Sequence, residues 1–336
     1  MKKLYATLEN GEEIYSYTIF GTNTEAEIIT YGATLRSFII DGLDVAGGFD
    51  GISGYITNPG NVGGTIGRIA NRVKDATFVM DGVAYNLTKN NGESCLHGGF
   101  CFNHRNWTVE SFSDSSITLS YFSPDGECGF PANLKTLVTY SLSGDALVID
   151  YEATPDAKTP IALTNHAYFN LDGFGGDLRK HKLTVFADSY TEVDKRLVPT
   201  GNRLPVDGTI FDFREARELG EGLDIPTFRG YDHNFVITPK FYADFNGKKL
   251  ALDAILENDS IKLSVYSDQP GLQVYTGNGL NPNDPSFKGG IVAVQYGGIC
   301  LETQTEPNSV NHGVGFFEAG EVYRHTCVYA LERKTK

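Results

Sequence analysis

The sequence is short of basic side chains: 28 Lys and Arg stand against 42 Asp and Glu, a formal net charge of −14. A polyanion is bound by a surplus of cations, so this balance argues against nucleic acid and against an anionic membrane surface as partners. Long apolar runs are missing too. None approaches the ~18 residues that a membrane-crossing helix needs. The first residues, MKKLYATLENGEE, turn polar and acidic before a secretory core could form. The expectation is a cytoplasmic protein. Cysteine is scarce, with five (Cys95, Cys101, Cys128, Cys300, Cys327) in 336 residues. An odd number in so long a chain fits reduced thiols better than a disulfide framework. Helical patterning is also scarce; only FDFREARELGEG (211–222) reads as a helix. No fixed-period repeat is present, which excludes a propeller or β-helix. No Ser- or Pro-rich linker divides the chain, and one continuous domain over 1–336 is expected.

What is abundant is strand signal. TFVMDGVAYNLT (77–88) sets two β-rich runs about an Asp-Gly pair, a strong hairpin signature. SSITLSYF, LKTLVTYSL, ALVIDYEAT, KLTVFAD, IKLSVYS and HTCVYAL continue the theme, with turns such as SPDG, LSGD and ENDS between them. Many short strands at close spacing predict an all-β fold, a large antiparallel β-sandwich or barrel with few short helices.

Three of these runs have a polar side where a core strand would have none. Side chains alternate along a strand. In LTNHAYFNL (163–171), Leu163, Ala167, Phe169 and Leu171 therefore share one face, while Thr164, His166, Tyr168 and Asn170 share the other. In GGICLETQT (297–305), Cys300, Glu302 and Gln304 oppose Ile299, Leu301 and Thr303. In GLQVYTGN (271–278), Gln273 and Tyr275 oppose Leu272, Val274 and Thr276. A lone buried histidine is usually a hydrogen-bonded core residue, and a strand glutamate usually a solvated one. Several such strands side by side, however, can line one groove with convergent acid, amide, phenol and imidazole groups.

Upstream, GGTIGRIANRVKD (63–75) carries Arg68, Asn71 and Arg72 without phosphate-loop spacing. Its arginines are either surface charges or a fork for neighbouring ligand oxygens. CLHGGFCFNHR (95–105) mixes Cys95, His97, Cys101 and His104, but at spacings that match no usual zinc pattern. His97 more plausibly points from a loop into a cleft. RGYDHNF (229–235) adds Asp232, either a turn cap or a ligand group.

Taken together, GRIANRV, the hairpin followed by CLHGG, SPDGECGFPANL, LTNHAYFNL, YDHNF, QVYTGN and LETQTEPNSVN resemble the aldose 1-epimerase (galactose mutarotase) family, in the family's order and over roughly residues 60–330. The resemblance implies a single large antiparallel β-sandwich of the galactose mutarotase-like supersandwich type. It further implies a monosaccharide substrate, no cofactor, no metal, and a monomer or homodimer. It places the catalytic base on Glu302 and the catalytic acid on His166. Sugar-binding roles fall on Asn71, Arg72, His97, Tyr168, Asp232 and Gln273. One departure stands out: Pro307-Asn308-Ser309 replaces the family's usual Pro-Asp-Ala, on a loop expected near the site.

Interconverting anomers moves one proton off the anomeric hydroxyl and one onto the ring oxygen, which a base and an acid suffice to do. With an ordinary carboxylate value near ~4.3, Glu302 is expected ionised; near ~6.5, His166 is expected protonated by the surrounding acidic field. Tyr275 is expected to offer a ring face to the sugar. Three other readings compete. A lectin sandwich needs no acid–base pair, a β-sandwich glycosidase needs two carboxylates, and an enzyme for phosphorylated sugars needs a basic cluster, for which Arg68, Arg105 and Arg229 are the candidates.

Overall fold

In the computed structural model, which describes residues 1–334, nearly every strand expected from the sequence is present. The Asp-Gly hairpin pairs Thr77–Met80 with Val83–Asn86. Asp81 and Gly82 both take positive φ, 51° and 80°, as a two-residue turn matched to strand twist requires. The runs Ser116–Ser123, Leu134–Ser143, Ala146–Pro155, Tyr323–Arg333, Ile261–Ser267 and Lys248–Glu257 follow one another in a ten-stranded sheet. All pairings along it are antiparallel. Strict alternation drives this layer: Leu134, Thr136, Val138, Tyr140 and Leu142 are buried while the residues between them are not.

A second sheet of six strands faces it. Its order is Tyr168–Phe169, Ile299–Gln304, Gly271–Tyr275, Asp232–Ile237, Ala187–Val193 and Pro199–Pro205. Phe169, Ile299, Leu301, Leu272, Val274 and Phe235 turn toward the large sheet and merge with its apolar face. The opposite face of the six-stranded sheet carries the polar residues. A five-stranded N-terminal sheet, Lys2–Thr7 through Leu43–Asp44, adds Ile28, Leu35 and Phe38 to the same core.

The structure corrects three sequence expectations. FDFREARELGEG is not a helix: only Gly220–Leu223 makes a helical turn, and Arg217–Glu218 pairs with Lys182–Leu183 at a sheet edge. Two glycines weaken the helix, and Phe211 and Phe213 instead stand at extended spacing with both rings against Tyr231. LTNHAYFNL is not one strand. Thr164–Asn165 pairs with Thr65–Ile66, and Tyr168–Phe169 pairs with Ile299–Cys300, so the segment hands over from one partner to another at His166. Finally, Cys101 and Cys128 form a disulfide with Cα atoms 6.6 Å apart, while Cys95, Cys300 and Cys327 remain free and buried. Counting cysteines cannot reveal that folding lays two loops side by side. Among the described residues no helix is long and apolar enough to cross a membrane.

Candidate active site

The polar face of the six-stranded sheet is assembled by register. Glu302 lies directly across from Gln273, which lies across from Asn234. One step along, Cys300 opposes Tyr275 and Tyr275 opposes Asp232. Tyr168 completes the row opposite Cys300. Directly paired side chains share a face and stand about 5 Å apart, so residues up to 134 positions apart in sequence meet in one patch.

A cavity of about 200 Å³ opens over this patch, a volume on the scale of one sugar ring. His166, Tyr168, Tyr275, Asp232 and Glu302 form its floor, and Asn71, Arg72 and His97 its wall. His166 Nε2 stands 3.8 Å from Glu302 Oε1, with 5 % and 1 % of each residue exposed. The imidazole is held from both ends: its backbone exchanges hydrogen bonds with Gly63 and Gly64, and Nδ1 lies 3.4 Å from Cys300 Sγ. The rings of His97 and Tyr168 flank it at 5.0 and 5.3 Å.

The wall is a locked pair of short strands, Arg72–Val73 against Cys95–Leu96. The Asn71 backbone N–H donates to His97 Nδ1 at 3.2 Å, and the His97 N–H donates to the Asn71 carbonyl at 3.0 Å. An imidazole that accepts at Nδ1 carries its proton on Nε2. His97 is therefore a fixed N–H donor into the cleft. The same tautomer argues against a metal. His97, His166 and Glu302 bring ligand atoms within 4.8 Å of one another, but a neutral imidazole has one lone pair in its ring plane, and that of His97 already accepts the Asn71 N–H. The zinc reading of the 95–105 segment also loses Cys101 to its disulfide.

Arg72 donates from Nε to Asn91 Oδ1 at 3.1 Å and reaches Asp232 Oδ2 at 3.8 Å. Gln273 does not line the cavity; its amide donates to Asp232 Oδ1 at 2.6 Å and holds that carboxylate in place. Half of the polar face of 163–171 is likewise structural, since Thr164 donates to the Thr303 carbonyl and Asn170 to Gly176 and Gly297. Arg68 is neither a surface charge nor a ligand fork. It is fully buried and donates to the carbonyls of Ser123, Pro124 and Pro131, tying down SPDGECGFPANL. Asn61 and Asn91 line the cleft without any signal in the sequence, as polar residues of irregular loops. Pro307-Asn308-Ser309 is not in the cleft wall; Asn308 Oδ1 instead accepts the Lys74 N–H at 2.9 Å, two residues after Arg72.

Burial works against the expected charge states. Desolvation pushes His166 down to about 4, with its own backbone only partly opposing. Desolvation also raises Glu302 well above the carboxylate range, reinforced by Asp232 and resisted by Arg72. Removing two charges from water costs more than an attraction across 3.8 Å returns without a direct hydrogen bond. Burial thus favours the neutral pair, with its one proton on the carboxyl, over the ion pair. His97 is driven well below its usual range by burial and by His166 and Arg72, in keeping with its role as a neutral donor.

The sequence pattern of the aldose 1-epimerase family matches residues 15–330. The chain belongs to that family. It is thus an isomerase of the aldose 1-epimerase class. A galactose mutarotase from Rattus norvegicus is 38% identical over 328 residues, covering 94% of this chain and 93% of its own. An aldose 1-epimerase from Escherichia coli K12 is 37% identical over 279 residues, 80% of this chain and 79% of its own. Among solved structures, the galactose 1-epimerase of Lactobacillus acidophilus NCFM superposes with a TM-score of 0.87 at 28% identity, covering 100% of this chain and 99% of that one. The shared fold accounts for the two opposed sheets.

Proposed function

We propose that this aldose 1-epimerase interconverts the α and β anomers of a free aldohexose such as galactose or glucose, with Glu302 as base on O1 and His166 as acid on the ring oxygen O5. The observation that carries the reading is the buried His166–Glu302 pair, 3.8 Å apart at the floor of a sugar-sized cavity. O1 and O5 are both bonded to C1, so the groups that serve them must stand this close.

The neutral pair and the ion pair contain the same single proton. A sugar whose O1 hydroxyl donates to the carboxylate and whose O5 accepts from the imidazolium favours the ionised arrangement, without exchange with solvent. Glu302 then takes the O1 proton, His166 delivers its own to O5, and the C1–O5 bond breaks to give the open aldehyde. Rotation about C1–C2 and the reverse transfers close the ring on the other face. No electrons are exchanged and no group leaves. Well-placed acid and base groups contribute ~10²–10⁴-fold each. Arg72, Asp232 and the His97 N–H bind hydroxyls and keep the rest of the ring still, and Tyr275 offers it an aromatic face.

A glycosidase reading would need Asp232 as a second free acid, but Arg72 and Gln273 already engage it. For a phosphorylated sugar, Arg68 is buried and Arg105 is paired with Glu127; of the three candidates Arg229 borders the adjoining groove, together with Lys195 and Arg72. Polarimetry of freshly dissolved α-galactose, α-glucose, xylose and glucose 6-phosphate tests the proposal. Acceleration with the neutral hexoses supports it, and spontaneous rates with all four remove it.

A further inference from the structure

The six-stranded sheet continues its polar face beyond Glu302, away from the sugar. Four buried atoms at Glu302 and beyond it find no hydrogen-bond partner among the described residues: Glu302 Oε2, both amide atoms of Gln304, and Asn234 Oδ1. They share one face on adjacent strands. Gln304 follows Glu302 by two residues and is paired with Gly271, while Asn234 is paired with Gln273, the residue opposite Glu302. Asn234 is oriented by donating to Thr191 Oγ1 at 3.0 Å. Gly271 lets the Asn234 amide close in on the middle of the patch. A Cβ on it would meet Asn234 Oδ1 at 2.5 Å and the Gln304 carbonyl oxygen at 3.1 Å, so the amide oxygen lies over the glycine, on the strand next to that of Gln304.

Folded proteins seldom leave such groups dry; water fills space that offers it two to four polar partners. Gln304 can donate and accept, Asn234 Oδ1 can accept, and a carboxylate oxygen can accept. We propose that Gln304 is a positioning residue for Glu302: together with Asn234 it holds water that completes the hydrogen bonding of Glu302 Oε2. Gln304 does not touch the sugar. It makes the ionised carboxylate tolerable at the moment the base is formed, in a place where the surrounding burial opposes that charge. The inference rests on the assignment of Glu302 as base.

The other titratable groups that face Glu302 are His166 and His97 across the cleft and Asp232 and Arg72 beside it. Cys300 and Tyr168 share its sheet face, and Tyr329 lies behind the sheet. None of them is altered by changing Gln304. The test is the pH profile of Gln304→Leu. Loss of the water raises the carboxyl further, so the alkaline limb of kcat/KM moves up by about one pH unit, kcat at neutral pH falls about tenfold, and KM for galactose stays within about twofold. Asn234→Leu removes the other polar partner of the water with Gln304 intact. It moves the alkaline limb in the same direction and serves if Gln304→Leu does not fold. Should both folded variants, or the one that folds, lower kcat with the alkaline limb in place, or leave the profile untouched, the water-bridge role is overturned. Glu302→Gln assayed alongside separates the two failures: an active Glu302→Gln removes the base assignment itself, whereas an inactive one confines the failure to Gln304.

Discussion

Glu302→Gln is expected to abolish anomer interconversion and, at neutral pH, to stabilise the fold. The amide keeps the shape of the carboxyl and cannot accept the O1 proton, so activity falls by ~10²–10⁴-fold. The stability effect follows from burial. Desolvation first, then Asp232, hold the folded carboxyl well above its ordinary 4.5, against Arg72. The folded chain thus holds this proton to a higher pH than the unfolded chain does. A raised group of this kind stabilises fully below 4.5 and loses that contribution as pH rises toward the folded value. At pH 7 the loss is capped by the cost of protonating a free carboxyl across about 2.5 pH units, about 3 kcal/mol. Glutamine has no charge to lose. The variant should match the native protein near pH 4 and exceed it by up to about 3 kcal/mol at pH 7. For 336 residues at about 2.1 cal/mol/K each, that is a rise of about 4 °C in Tm. Polarimetry of fresh α-galactose reads the first effect, and thermal melts at pH 4 and pH 7 read the second. Near-native activity would remove Glu302 from the mechanism, and a Tm below the native one at pH 7 would refute the burial argument.

The kcat/KM profile of the native enzyme should be a bell whose acid limb lies near 4, where a second proton enters the pair at His166. An acid limb near the ordinary imidazole value would show that the carboxylates outweigh burial after all. Asn308→Ala frees the Lys74 N–H and loosens the turn that aims Arg72, so KM for galactose should rise about 3–10-fold with little change in kcat. Asn308→Asp keeps an acceptor there and should remain near native by the same assay. Arg68→Met strands the carbonyls of Ser123, Pro124 and Pro131, an expected loss of roughly 3–5 kcal/mol measured by denaturant unfolding. An unchanged midpoint would contradict its role as the anchor of that loop.

Much of this protein was legible along the chain, because alternation and turn chemistry are local. The period of two in Leu134–Ser143 and the positive φ demanded by Asp81-Gly82 depend only on near neighbours. So does the split of Ile299–Gln304 into an apolar and a polar face, which singled out Glu302 before any partner was known. What could not be read is what depends on residues far away in sequence. Tertiary packing alone broke 163–171 between two partners, turned Arg68 inward, joined Cys101 to Cys128 and brought Asn91 to Arg72. It also set the direction in which burial shifts the His166–Glu302 pair. A sequence shows which side chains can titrate, but their charge at neutral pH depends on how much water remains around them. Only the closed cleft sets that quantity.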